Sequence, residues 1–346
     1  MPSEDELLQM LHRALGPAAV VGGDLVVGIG DDAAVVRCPE EGRQLVATVD
    51  MLVEGQHFVL RPGAFTATDV GWKALAVNLS DIAAMGARPR WALCSLALPA
   101  DRREVVLPPL YRGLGRLARA FGVRVVGGNL ASAPTLAIDV VLLGEVRRAM
   151  CRTGTQVGDR LYVTGRLGAG AAGLALMTGG QPLHAHLARA LVSAQRRPRP
   201  RVREGLALAA LPDGVVHAMC DISDGLARDV RRLLGGLGVT IWEDALPIPD
   251  AVRRAAEACG ADPLRWAVYG GEDYELLLTA PAAAEPSLRA AMEREGMQQL
   301  HCIGEIHDGG SYLCSRQGGV SMPLAEEGWD PFRVTENRRQ VVAGAS

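Results

Sequence analysis

Apolar runs of strand length alternate with amphipathic stretches of helical length along the whole chain. In the first half, this pattern predicts strands at residues 25–29, 45–50, 91–98, 123–126 and 136–146 and helices at 4–15, 68–85 and 108–121. In the second half, it predicts strands at 159–164 and 215–220 and helices after Gly168 and Gly225. We therefore expect an α/β (α+β) fold of two domains, residues 1–147 and 148–346.

The strand that ends at Asp50 shows how the pattern orients side chains. Its strict alternation places Thr48 and Asp50 on one face and Val49 on the opposite face. For the helix that follows, Thr68 or Asp69 is the predicted N-cap. Strand alternation thus directs two oxygen-bearing side chains to the same side of the first sheet.

Acidic residues beside glycine recur at the ends of predicted elements. Any one of them has the usual composition of a turn or a helix cap. Six such places are harder to explain in that way, because carboxylates that converge in one cleft repel each other unless a hard cation compensates them. The sequence contains no grouping of His and Cys ligands, so magnesium is expected and zinc is not. The six places are Asp31-Asp32, Asp50, Asp81, Asp221, Asp224 and Glu272-Asp273.

The segment Asp221-Ile222-Ser223-Asp224-Gly225 lies where a buried strand is predicted to turn into a helix. Ser223 or Asp224 is expected to cap this helix, and Asp221 to lie at the end of the strand. The helix N-terminus would then offer backbone amides to an anion. Carboxylates for magnesium and amides for phosphate in one turn suit a magnesium nucleotide.

The composition of the chain excludes several classes of binding partner. The chain has 346 residues, of which 49% are hydrophobic, and its formal net charge is -3, so no basic excess is present to neutralise a nucleic acid or an anionic membrane surface. Lys73 is the only lysine, which excludes a phosphate-binding loop that ends in Gly-Lys-Ser/Thr. Phosphate charge must therefore be met by metal, arginine or backbone groups.

Other features favour a cytoplasmic protein. The seven cysteines are scattered and form no Cys-x-x-Cys pair, which is typical of buried or incidental thiols. Residues 2–6 are acidic and lack the pattern of a signal peptide. No apolar run approaches the roughly 20 residues of a membrane span.

Two further motifs receive ordinary interpretations. Gly168-Ala-Gly170-Ala-Ala-Gly173 matches the dinucleotide-binding fingerprint, but no second strand ending in Asp or Glu follows about 20 residues later, so close helix packing is the preferred explanation. His184 and His186 are interpreted as surface histidines, and residues 196–201 as a solvated loop before a helix.

Five motifs, in the same order, resemble those of the thiamine-monophosphate kinase family, and together they cover nearly the whole chain. The block at residues 73–87 is the most specific of them. The motifs are Gly28-Ile29-Gly30-Asp31-Asp32-Ala33-Ala34, residues 49–58, residues 73–87, residues 221–226 and residues 270–276. The resemblance implies the fold shared with aminoimidazole ribonucleotide synthetase: a homodimer formed through the N-terminal sheet, with nucleotide and acceptor bound between two α/β domains.

The resemblance also implies residue roles. It implies several Mg²⁺ ions, ATP as co-substrate and thiamine monophosphate as acceptor, with Asp50, Asp81, Asp221 and Asp224 as the catalytic carboxylates. The positions that match the family's metal site are Asp32, Thr48, Val49, Asp50, Asp81, Asn129, Asp221 and Asp224. Those that match ATP contacts are Tyr111, Gly128, Asn129, Arg152 and Ser223, and those that match contacts to the thiamine substrate are His57, Glu272 and Trp329.

The chain departs from the family pattern at two of these positions. Asn129 stands where the family usually has an aspartate, so one expected anionic ligand is a neutral amide. Val49 stands where a threonine is frequent, and only its carbonyl can serve a metal. Two alternatives stay open: a related enzyme with a different acceptor, and a nucleotide-binding regulatory protein that has lost turnover.

Overall fold

The computed structural model describes residues 24–28, 30–38, 42–179, 184–315 and 321–330, together with Glu6. Of the predicted helix at residues 4–15, only Glu6 is among them, and it is helical. The rest of that prediction lies outside the described residues.

A six-stranded mixed sheet forms the first domain, in the order β1-β2-β3-β6-β4-β5. Only the β4–β5 pair is parallel. The alternation predicted for β3 is confirmed, because Thr48 is buried whereas Val49 is 57% exposed on the opposite face. The strands are β1 (Leu25–Val27), β2 (Ala34–Arg37), β3 (Gln44–Val53), β4 (Arg88–Leu98), β5 (Arg124–Ser132) and β6 (Ala137–Val146).

Two long helices, α1 (Ala67–Ala84) and α2 (Arg103–Phe121), belong to this domain. The predicted cap of α1 was wrong: Thr66 is the N-cap and Asp69 completes a capping box three residues later. The helices approach closely because Gly71 presents no side chain, and a Cβ there would lie 1.9 Å from the carbonyl oxygen of Leu110. Helix α2 begins at Arg103, five residues before the predicted start at Pro108.

The second domain contains a seven-stranded mixed sheet in the order β13-β12-β9-β11-β7-β10-β8. Its strands are β7 (Asp159–Thr164), β8 (Ala218–Asp221), β9 (Gly238–Trp242), β10 (Leu276–Pro281), β11 (Leu300–His307), β12 (Tyr312–Cys314) and β13 (Met322–Pro323). Its helices are α3 (Ala169–Met177), α4 (Ala185–Arg196), α5 (Val202–Ala209), α6 (Leu226–Leu234), α7 (Asp250–Cys259), α8 (Pro263–Tyr269) and α9 (Glu285–Arg294).

Helix α1 joins the two domains. Its apolar side chains belong to a buried cluster that also contains Val202, Leu208 and Met219 of the second domain. At Gly205 a Cβ would lie 2.1 Å from the carbonyl oxygen of Ala83, so α5 packs directly on the backbone of α1. The predicted domain boundary near residue 148 falls between β6 and β7. One hydrophobic core nevertheless contains residues from both sides of this boundary. Within the described part of the chain, no helix is long and apolar enough to cross a membrane.

Candidate active site

A cavity of about 870 Å³ lies between the domains. Its walls come from β3 and the turn after it, from α1 and α3, and from the segments around residues 221–224 and 270–274. Most of the residues singled out from the sequence line it. They are Asp32, Thr48, Val49, Asp50, His57, Asp81, Arg152, Asp221, Ser223, Asp224, Glu272 and Trp329.

Three carboxylates meet at the centre of this site. One oxygen from each of Asp32, Asp81 and Asp221 lies within 4.8 Å of the others. Hydroxyl groups orient two of them: Thr48 donates to Asp81 at 2.6 Å, and Ser80 donates to Asp221 at 2.7 Å. Three of the six acidic places identified in the sequence, those of Asp32, Asp81 and Asp221, therefore meet in this cluster.

Burial and mutual repulsion raise the pKa values of the carboxyl groups in and beside the cluster. Burial, with the charges of Asp50 and then Asp221, raises the pKa of Asp81 well above its usual range. Burial and the charge of Asp32 do the same to the pKa of Asp221. Burial, followed by the charge of Asp224, raises the pKa of Asp50 to about 7. A bound cation would relieve this repulsion.

The donor chemistry of the cluster fits a hard divalent ion. The ligating atoms are carboxylate oxygens, which Mg²⁺ prefers, and the Oδ2 atom of Asp32 is buried without a hydrogen-bond partner. The other oxygen of Asp32 pairs with Arg152 at 2.5 Å, and the Arg152 amide donates to Asp31 at 3.0 Å. Asp31, which was not among the predicted ligands, thus holds the backbone of Arg152 beside the cluster.

The turn at Asp224 differs from its sequence prediction. Neither Ser223 nor Asp224 caps α6; the N-cap is Gly225, without a side-chain bond. Instead Asp229, inside the helix, accepts the amides of Asp224 and Gly225 at 2.9 and 3.1 Å. These two amides are therefore not available to an anion. The carboxylate of Asp224 pairs with Arg232 at 2.7 Å.

His57 and Trp329 adjoin one another in the cavity. Their ring centroids are 6.3 Å apart in an edge-to-face arrangement. The amide of Val53 donates to Nδ1 of His57 at 3.0 Å, which fixes the orientation of the imidazole. The amide of Trp329 donates to the carbonyl oxygen of Asp224 at 2.9 Å and so places the indole next to the turn that carries Asp224.

Glu272 occupies an unusual backbone conformation, with φ of 68°. Its Oε1 atom lies 2.6 Å from Nζ of Lys73, and its Oε2 atom accepts a hydrogen bond from Gln195. Burial alone would raise the pKa of Glu272, but the charge and hydrogen bond of Lys73 and the bond from Gln195 lower it. The sequence analysis did not predict that Lys73 and Gln195 contact the carboxylate of Glu272. The occurrence of a single lysine in the chain was the one feature that could have drawn attention to Lys73.

The glycine-rich segment before α3 binds an internal anion. The carboxylate of Asp273 accepts the amides of Gly168 and Gly170 at 2.7 and 3.1 Å. The helix N-terminus that a dinucleotide would require is therefore filled by a side chain. Gly170 is also tightly packed, since a Cβ there would lie 2.6 Å from the carbonyl oxygen of Glu272.

Tyr111, Gly128 and Asn129 do not line the cavity. Gly128 and Asn129 lie within β5, which continues to Ser132 and does not end at the glycines as the sequence suggested. This strand is the exposed edge of the first sheet, and Tyr111 is 37% exposed on α2. Their role in binding ATP or metal stays a prediction.

Comparison with known families agrees with this architecture. Residues 30–146 match the family described as AIR synthase related protein, N-terminal domain, and residues 156–313 match its C-terminal domain. The chain is therefore a two-domain protein of the AIR synthase related class, with an acidic cleft between its domains.

Comparison with individual proteins identifies the family within this class. The thiamine-monophosphate kinase of Escherichia coli K12 is 37% identical over 313 residues, which are 89% of this chain and 93% of that protein. A structure described as AaThiL complexed with AMPPCP and TMP superimposes with a TM-score of 0.81 at 31% identity, covering 95% of this chain and 97% of that one. The chain belongs to the thiamine-monophosphate kinase family. Escherichia coli HypE, at 22% identity and a TM-score of 0.66, covering 94% of this chain and 98% of that one, shares the fold.

Proposed function

We propose that this protein transfers the terminal phosphoryl group of ATP to thiamine monophosphate and so forms thiamine diphosphate. The observation that carries the proposal is the convergence, in one cavity of a chain from this family, of the carboxylates of Asp32, Asp81 and Asp221 with His57 and Trp329. The test is to incubate the purified protein with ATP, Mg²⁺ and thiamine monophosphate and to measure ADP and thiamine diphosphate. ATP hydrolysis without thiamine diphosphate would contradict the proposal.

Magnesium is the metal we assign to the acidic cluster. Asp32, Asp81 and Asp221 would hold it, with Asp50 and Asp224 beside them as further oxygen ligands. When bound, it supplies neutralisation of phosphate charge. The geometry of the three carboxylates and the raised pKa of Asp81 support this assignment.

The chemistry places few demands on the side chains as acids or bases. The acceptor is a phosphate monoester with a second pKa of about 6, so its attacking oxygen is already ionised near neutral pH. What remains is alignment of two polyanions and control of their repulsion. Arg152, buried against Asp32, is suited to the nucleotide phosphates. We infer direct in-line transfer; a phosphorylated protein trapped during turnover would contradict it.

His57, Trp329 and Glu272 are proposed to bind the thiamine portion. The thiazolium ring is a cation, and Trp329 offers an aromatic face worth roughly 0.5–2 kcal/mol in such a contact. Glu272 is an anion on the same cavity wall. Aromatic and anionic groups together suit a cationic heterocycle better than a neutral sugar or peptide.

A homodimer would complete this site. Asn129 is three strands away from β3 in the sheet, a separation of about 14 Å at the usual strand spacing, so it does not reach the cluster of its own chain. The open face and edge of the same sheet expose apolar side chains: Val49 (57%), Met51 (52%), Leu93 (39%), Val126 (59%) and Leu130 (58%). We propose that a second copy covers this face and presents Tyr111, Gly128 and Asn129 to the nucleotide.

The oligomeric state can be measured directly. Light scattering after size exclusion should give twice the 36.6 kDa chain mass. Val126→Glu should shift the protein towards the monomer and reduce activity at low protein concentration, because a charge would enter the apolar interface. A wild-type monomer with full activity would contradict the proposed completion of the site.

Two alternative functions predict different results in the same assay. A regulatory protein without turnover is favoured only by Asn129, and it predicts ATP binding without product. A different acceptor predicts ADP formation with another phosphate ester only.

The seven cysteines are all free thiols, the state that a reducing compartment maintains, which supports a cytoplasmic location.

A further inference from the structure

Lys73 lies beneath the wall of the cavity that carries Glu272. Its side chain is completely buried. The ammonium nitrogen lies 2.6 Å from Oε1 of Glu272 and 5.2 Å from the centroid of the Phe65 ring. A buried ammonium group requires compensation by a partner of opposite charge, and Glu272 supplies it.

The residue type at position 73 is itself informative. Apart from the histidines, every other basic residue of the chain is arginine. Arginine tolerates most surface and ion-pair positions, whereas lysine provides a compact point charge on a narrow stem. The space between the Phe65 ring and the Glu272 carboxylate accommodates an ammonium group at hydrogen-bond distance. A guanidinium group is larger and would require the ring or the carboxylate to move.

Contacts to both its side chain and its backbone fix the position of Glu272. Both carboxylate oxygens have partners, Lys73 on one and Gln195 on the other. Its backbone adopts a left-handed conformation that costs a non-glycine residue free energy, and its amide donates to the carbonyl oxygen of Ser223 at 2.8 Å. One quarter of the side chain is nevertheless exposed, and the residue lines the cavity.

We propose that Lys73 and Gln195 are positioning residues, which hold the carboxylate of Glu272 ionised and in one orientation towards the nitrogen heterocycles of the acceptor. This inference rests on the proposed function, because it requires an acceptor with cationic and N–H-donating rings. Lys73 acts through Glu272 and does not touch the substrate. A fixed anion binds such an acceptor without first having to be oriented or ionised.

The decisive variant is Lys73→Met, which keeps an unbranched apolar stem and removes the charge. The Michaelis constant for thiamine monophosphate should rise at least about tenfold, the loss typical of one charge-assisted hydrogen bond. That for ATP should stay within about twofold, and kcat should change less than the acceptor constant. A variant that merely loosened the fold would change both substrate constants.

A double-mutant cycle tests whether Lys73 acts through Glu272. Glu272→Gln alone should also raise the acceptor constant. Adding Lys73→Met to Glu272→Gln should raise it by no more than about twofold further, because the group that Lys73 positions is already neutral. Additive effects of the two substitutions would overturn the inference.

Two additional variants keep the test interpretable. Arg201→Met removes the cation of another buried pair, with Glu275, neither member of which lines the cavity; it should lower the melting temperature and leave the acceptor constant unchanged. Gln195→Leu serves if Lys73→Met does not fold, and it should raise the acceptor constant roughly three- to tenfold. Wild-type protein that forms no thiamine diphosphate refutes the proposed function, whereas active wild type with unchanged constants in Lys73→Met and Gln195→Leu refutes only this inference.

Discussion

The stability of the metal-free protein should fall as the pH rises, because the carboxylates of the cavity are more easily ionised in the unfolded chain. A carboxyl group whose pKa is raised by folding stabilises the folded state fully below its unfolded pKa. That contribution is lost as the pH rises through the folded pKa. For Asp50, the pKa increases from 3.8 to about 7. This single group corresponds to at most about 4 kcal/mol, lost between about pH 4 and pH 8.

Asp81 and Asp221 contribute with the same sign, since burial and neighbouring carboxylates raise the pKa of both. Because the three groups titrate together, we expect a total loss on the order of a few kcal/mol, or roughly 2 °C of melting temperature per kcal/mol for a chain of this size. A cation bound by the cluster restores this loss. The stabilisation by Mg²⁺ should therefore be larger at pH 8 than at pH 6.

The assay is a thermal melt at pH 6, 7 and 8, with and without about 10 mM Mg²⁺ and with ionic strength matched by sodium chloride. Asp81→Asn should raise the metal-free melting temperature at pH 8 and at least halve the response to Mg²⁺. Asp213→Asn is the matched control, because its side chain is 83% exposed and does not line the cavity, and it should behave as wild type.

Burial also raises the pKa of Asp229 and of Asp273 to about 7, so part of the pH dependence will persist in every variant and with Mg²⁺ present. Only the difference in melting temperature with and without Mg²⁺ therefore reports on the acidic cluster. A Mg²⁺ response that is equal at pH 6 and pH 8, or unchanged in Asp81→Asn, would refute the reasoning.

Three further substitutions test individual residues. Asp224→Asn should lower kcat at least about 100-fold with little loss of stability, since Asp229 and not Asp224 accepts the backbone amides before α6; near wild-type turnover would exclude Asp224 from the site. Trp329→Ala should raise the acceptor Michaelis constant roughly 3- to 30-fold and leave the ATP constant unchanged; equal effects would indicate a structural tryptophan. Asn129→Asp should lower the Mg²⁺ concentration for half-maximal activity, and an unchanged Mg²⁺ titration would mean that residue 129 does not serve the metal.

Local patterns in the sequence predicted the parts of the fold that depend on near neighbours. Alternation in β3 correctly oriented Thr48 and Val49, and β7 begins and ends where the apolar run does. The convergence of Asp32, Asp81 and Asp221 was also expected, because several carboxylates at element ends are explained together by a shared cation.

The errors came from groups whose partners are set by tertiary packing. Asp224 has the sequence position of a helix cap, but its carboxylate pairs with Arg232, and Asp229 reaches back to the backbone amides of Asp224 and Gly225. Gly127-Gly128 has the composition of a strand end, yet β5 continues because β4 offers parallel pairing as far as Leu98. No local pattern reveals that Lys73 meets Glu272, since the pair joins a helix of one domain to a turn of the other.

The attachments of α1 to the second domain have a mechanical consequence. Trp72 donates to the carbonyl oxygen of Pro198, Asp69 pairs with Arg197, and Ser80 donates to Asp221, so the helix is anchored near its start and again towards its end. The cleft therefore cannot widen by hinge rotation unless these hydrogen bonds and the ion pair break together. Substrates should enter a preformed site past its surface loops, and the radius of gyration in solution should be the same with and without nucleotide.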